Sequence, residues 1–144
     1  MNELLTILKD EQHMISALVQ SAHEQQFALI HVHSEQLESI ATHQAELLAA
    51  LQQKEILRWK YLSAQLGISS KEAAQVSLST LYPFLGMNDY EDFRNLQQEL
   101  TSLLAEWQSL NSTNRVLAFR ARTNIKEILT FFAESDVRVC NVVV

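Results

Sequence analysis

The stretch FRNLQQELTSLLAEWQSLNSTNRVLAFRARTNIKEILTF, residues 93–131, decides the fold. Its core-type positions fall at Phe93, Leu96, Leu100, Leu103, Trp107, Leu110, Asn114, Leu117, Ala121, Asn124, Ile128 and Phe131, an unbroken alternation of steps of three and four. That spacing places one stripe of side chains along one side of an α-helix, and its average period of 3.5 residues implies left-handed supercoiling against partner helices. Asn114 and Asn124 are polar intrusions of the kind that fix register. Asn88 and Glu91 form a plausible N-terminal cap pair, so the reading gives a helix over about 89–133.

Upstream, Leu5, Leu8, Ile15, Val19, Ala22 and Leu29 follow the same alternation, with Gln12 and Gln26 in intervening slots. They predict a first helix over about 2–32, and His31, His33 and Ser34 mark a hairpin turn in which Ser34 is the expected cap. Leu37, Ile40, Gln44, Leu47, Leu51, Arg58, Leu62 and Leu66 predict a second helix over about 35–66, stopped by Gly67. Residues 68–87 hold the only proline, Pro83, and the second glycine, Gly86. They read as a partly ordered connector, with a short helix opened by the capping-box pair Ser69 and Glu72. The tail 134–144 alternates loosely and reads as disordered or partly ordered. The expected fold is all-α: one domain over 1–144, an elongated, coiled-coil-like antiparallel three-helix bundle. The third helix would span ~67 Å against ~45 Å for each of the others, leaving roughly a dozen residues overhanging.

Composition removes many alternatives. The 144 residues suit one domain with a continuous core. With 2 Gly and 1 Pro, where average usage would give roughly ten and seven, there is almost no chain for tight turns, which excludes all-β folds. Walker A and G-x-G-x-x-G phosphate loops are excluded too, because Gly67 and Gly86 stand far apart. A net charge of −6 argues against a broad phosphate-neutralising face, although a local basic patch remains compatible with it. A single cysteine, Cys140, no span approaching ~20 apolar residues, and a start without a basic-plus-apolar leader make a cytoplasmic protein the expectation.

No catalytic constellation emerges. His23-Glu24-Gln25-Gln26-Phe27 has Phe27 where a zincin needs its second histidine. Only Asp10 to His13 has even the offset of a di-iron motif, and His31 and His33 lie two apart. His43 is followed by Glu46 rather than the lysine and glycine of a phosphotransfer histidine, and no G-x-S-x-G occurs. The expectation is a protein that is not an enzyme, with no cofactor and no metal. The informative cluster is Asn111 to Lys126, in which Arg115, Arg120, Arg122 and Lys126 occur without one acidic residue, interleaved with Leu117, Phe119 and Ile125 and followed by Ile128, Leu129, Phe131 and Phe132. Apolar anchors at helical spacing with arginines around them suit a partner helix. The expected partner-binding residues are Arg115, Leu117, Phe119, Arg122, Ile125, Ile128, Leu129 and Phe132.

Three stretches resemble the FlgN-type flagellar export chaperones: EQQFALIHVHSEQLESI (24–40), LLAALQQKEILRWKYLSAQLG (47–67), and the Asn-x-x-Asn-Arg-x-Leu element made by Asn111, Asn114, Arg115 and Leu117. The resemblance implies a cytoplasmic chaperone that holds the C-terminal helical segments of hook–filament junction proteins, FlgK and FlgL, before type III export, with export-apparatus components as further partners. It also implies a substrate-binding region toward the C-terminal end, while the net charge and the lack of a membrane-length apolar run lead us to expect no nucleic-acid or membrane-inserted partner. The alternative from another class is a structural coiled-coil subunit that self-assembles through the third-helix seam.

Overall fold

The computed structural model describes residues 2–143, and the side chains of all of these except Ile128, Phe131, Phe132 and 134–143. Every described element is helical: α1 (Asn2–Ile30), α2 (Ser34–Leu66), α3 (Ser70–Ala73), a 3-10 segment (Leu78–Phe84) and α4 (Met87–Val143). The all-α expectation therefore holds, with two short helical elements added to the three long ones.

The arrangement departs from a closed three-helix bundle. α1 is the central helix: α2 and α4 both pack along it, and no Cα of α2 lies within 8 Å of one of α4 among the described residues. The reason is written in the side chains. α1 buries Leu4, Ile7, Leu8, Ile15, Leu18, Val19, Ala22 and Ala28, a face wide enough for two neighbours, whereas α2 has one fully buried residue, Leu62. Polar Gln44 and Arg58 occupy seam positions of α2, and a helix with so thin an apolar stripe closes against one neighbour, not two.

α1 and α4 run parallel. Gln12 bonds to Glu99, His23 Nε2 lies 3.1 Å from Glu106 Oε1, and Asn114 Nδ2 donates to the Ala22 carbonyl at 2.8 Å and to Gln25 Oε1 at 3.2 Å. The numbers rise together along both helices. Asn114 is buried, and its two donated bonds tie the register in the manner expected of a polar seam residue.

The core sits where the start of α1, the end of α2 and the start of α4 meet: Leu4, Leu8, Ile15, Leu62, Phe93, Leu96 and Leu100 are its buried members. Residues 68–87, expected to be partly ordered, close this end instead. Ala73 and Leu81 are fully buried there, and Ile68, Val76, Leu78, Tyr82 and Leu85 pack against the cluster. The capping box is formed, with Glu72 N–H donating to Ser69 Oγ (3.2 Å) and Ser69 N–H to Glu72 Oε2 (2.9 Å). An apolar lid of low charge is stable only where it is covered, and here the three long helices cover it.

Helix ends follow local chemistry. Gly67 ends α2 in the left-handed region at φ 65°. α4 begins at Met87, one residue before the expected cap Asn88, with the Gly86 carbonyl accepting from Asp89 and Tyr90. It continues to Val143 rather than stopping near 133, since neither glycine nor proline follows Gly86. The first turn also differs from expectation: α1 ends at Ile30, His33 rather than Ser34 is the residue before α2, and its side chain makes no capping bond. The His33 N–H instead bonds to the Ala28 carbonyl at 2.9 Å, a six-to-one closure that puts Val32 in the left-handed conformation at φ 55°.

Candidate functional site

The register tie fixes where α4 leaves its support. Ile30 lies five residues beyond Gln25 and eight beyond Ala22, so the end of α1 is level with residues 119–122 of α4. At 1.5 Å per residue, α4 then runs ~33 Å past the hairpin, longer than the dozen or so residues expected from sequence. Burial along the seam records the departure. Phe93, Leu96 and Leu100 are buried, Leu103, Trp107, Leu110 and Leu117 half-buried, and Asn124 exposed.

The expected partner residues do not all share one face. At 100° per residue, Leu117 and Ala121 continue the α1-facing seam, and Ile125 (49% exposed) and Leu129 (62% exposed) lie within about 80° of Ala121 on the same side. Phe119, 70% exposed, stands about 160° from Leu117, on the opposite side with Arg115. Arg115, Arg120, Arg122 and Lys126 are all exposed. The side chains of Ile128 and Phe132 lie outside the described residues, as does that of Cys140. The segment thus offers an apolar strip, Ala121–Ile125–Leu129, bordered on one flank by Arg122 and Lys126, with Arg120 and Glu127 on the face behind it.

Beside the base of this overhang is the α1–α2 hairpin tip, which the sequence reading did not place in the site. Ile30 (59%) and Val32 (64%) are exposed there. Phe27 stacks on His31 with ring centroids 4.1 Å apart and meets His33 edge-on at 6.2 Å. A groove of about 320 Å³ beside Phe27, lined also by Glu24, Gln36, Ser39 and Ile40, runs between α1 and α2. The signal in the sequence is IHVHS, a turn without glycine, whose apolar residues belong to neither seam. At the opposite end Phe84 and Met87 are also exposed, beside a groove of about 490 Å³ lined by Leu66, Ile68, Val76, Leu81 and Phe84.

Between α2 and α4 lies a third recess, floored by α1 and lined by Glu11, Ile15, Leu51, Glu55, Arg58, Leu100 and Leu104 among others. Glu11 is buried, and Arg58 Nη1 donates to its Oε2 at 2.6 Å while Oε1 has no partner. Burial pushes the Glu11 carboxyl up to about 7, with Arg58 pulling it down and Glu55 adding to the rise. The pair is what remains when a carboxylate falls on the central helix: α2 supplies a cation where an apolar residue would have closed the bundle.

No group of three histidine, cysteine or carboxylate side chains is placed to hold a metal ion among the described residues, and His23 is engaged with Glu106. No described helix is long and apolar enough to cross a membrane. No curated protein and no solved structure matches the chain. The family described as FlgN protein matches residues 1–140, nearly the whole length and all the long helices that build the site. An all-helical chain with an overhanging apolar strip, matched from end to end in this way, belongs to the FlgN family of flagellar export chaperones.

Proposed function

We propose that this chain holds the C-terminal helical segments of hook–filament junction proteins of the FlgK and FlgL kind in the cytoplasm before type III export. The observation that carries the proposal is the ~33 Å of α4 beyond the hairpin, with Ile125 and Leu129 exposed on the side that α1 covers lower down. A junction-protein segment that is disordered before polymerisation gains a helical partner there, and its apolar stripe leaves water. Ordering the segment offsets part of the contact energy, which keeps the complex releasable without a nucleotide on this chain. Arg115, Leu117, Phe119, Arg122, Ile125, Ile128, Leu129 and Phe132 remain the proposed contact set, with Phe119 serving the outer face.

The test is calorimetric titration of the full chain with a synthetic C-terminal segment of a junction protein, beside the double variant Ile125→Asp, Leu129→Asp. Saturable binding that the variant loses by about a hundredfold, with an unchanged melting profile, supports the reading. Equal binding by both proteins refutes it, and a free chain that sediments as a stable oligomer through the same strip favours the self-assembling subunit.

A further inference from the structure

We infer that the bound client helix continues α1 end-on: it lies on α4 in line with α1, its near end abuts the α1–α2 hairpin tip at Ile30 and Val32, and acidic residues line the flank of its apolar stripe that faces Arg122 and Lys126. This rests on the chaperone reading above and adds the geometry and chemistry of the partner.

Three observations lead there. The first is continuity with an interface the fold already makes. The seam that packs on α1 through Leu103, Leu110 and Asn114 runs on through Leu117 and Ala121, with Ile125 about 40° beside Ala121, where α1 ends level with residues 119–122. A helix seated on that continuation meets the spacing that α1 meets lower down, and the space it fills is bounded below by the hairpin tip.

The second is Val32. A β-branched residue at φ 55° is strained, and the position closing a helix in this way is one that glycine fills without strain. Val32 is nevertheless a large, exposed apolar side chain, next to exposed Ile30. Folding is not served by either feature, whereas an apolar end plate for a docked helix is served by both.

The third is charge. Residues 1–114 carry 6 Lys and Arg against 14 Asp and Glu, while residues 115–144 carry 5 against 3. Arg122 and Lys126 stand along one flank of the strip and present cations to that side of the client helix, while Arg120 and Glu127 share the face behind it. A second copy of this chain, pairing overhang to overhang, brings further cations and no acidic side chain on the strip to receive them among the described residues. An amphipathic helix with an acidic flank is the complementary occupant.

The test uses the full chain and a synthetic junction-protein C-terminal segment. Val32→Gly relieves the strained conformation, so it is expected to melt about 2 °C or more higher while binding about tenfold more weakly. Ile30→Ser, exposed at the last turn of α1, is expected to leave the melting profile unchanged and to weaken binding about fivefold. Arg122→Gln with Lys126→Gln is expected to weaken binding and to flatten its salt dependence, and replacing the acidic residues of the segment by their amides does the same.

Normal binding by Val32→Gly and Ile30→Ser, with binding lost in the Ile125→Asp, Leu129→Asp variant, overturns the end-on geometry and leaves the chaperone reading standing. Normal binding by all of these variants removes both. A salt-independent interaction overturns the acidic-partner assignment, and a free-chain dimer that Val32→Gly dissociates makes the tip a self-association surface instead.

Discussion

Replacing Glu11 by glutamine is expected to change how stability depends on pH more than it changes stability itself. The carboxyl of Glu11 is buried on the central helix and pushed up to about 7 from 4.5. The folded protein therefore binds this proton more tightly than the unfolded chain does. Its stabilising contribution is complete below about pH 4.5 and is lost as pH rises through 7, because ionisation must then occur inside the fold. A gap of about 2.5 pKa units at 1.36 kcal/mol each gives about 3 kcal/mol in full, of which about 2–3 kcal/mol falls between pH 5 and pH 8. Urea unfolding of both proteins at these two pH values measures it. The two proteins differ at this one side chain, so the informative quantity is the difference between the two slopes. The native chain is expected to lose about 2 kcal/mol more than Glu11→Gln does, whose amide still accepts from Arg58 and has no proton to lose. Arg58→Met removes the cation that restrains the shift, so its loss should be larger and should extend to higher pH. Parallel pH dependences in the native chain and Glu11→Gln would refute the reasoning, since they would mean that Glu11 titrates alike folded and unfolded.

Three further outcomes follow from the packing. Phe93→Ala empties the best-buried aromatic site of the core and is expected to lower stability by about 3–5 kcal/mol in denaturant unfolding. Gly67→Ala meets no atom within 4 Å, so only the left-handed backbone opposes it, and the expected loss is about 1 kcal/mol by the same measurement. Asn114→Leu exchanges a buried amide whose Oδ1 has no partner for apolar volume; thermal melting is expected to show equal or greater stability, while amide exchange along residues 22–30 speeds up as the polar register tie is lost.

What was legible in the sequence was whatever one helix decides by itself. The three-four alternation from Phe93 depends only on helical geometry, and the Gly67 stop and the Ser69–Glu72 capping box depend only on neighbouring residues. The family resemblance rested on such local stretches and is met by the match over 1–140. What was hidden depends on which face meets which neighbour. Nothing local in ISSKEAAQVSLSTLYPFLGM states that Ala73 and Leu81 become core, because their burial is supplied by α1, α2 and α4. A similar limit applies to Glu11, which falls between the seam positions of α1 and is buried only because that helix has two neighbours. Val32 was hidden for the opposite reason: a left-handed helix end is read from glycine, and here a valine occupies it. Within the site, the overhang followed from helix lengths, whereas which side of it Phe119 takes, about 160° from Leu117, follows from the 100° rotation per residue.

Amide hydrogen exchange on the full chain, free and with a junction-protein C-terminal segment, tests the central claim most directly. The amides of Phe93 to Leu100 are expected to be protected in both states, and those of residues 119–133 to exchange quickly in the free chain and to slow by at least about tenfold in the complex, together with Ile30 to His33 at the hairpin tip. Protection gained only around Leu66 to Phe84, where the other apolar groove lies, or nowhere along α4, would contradict the account.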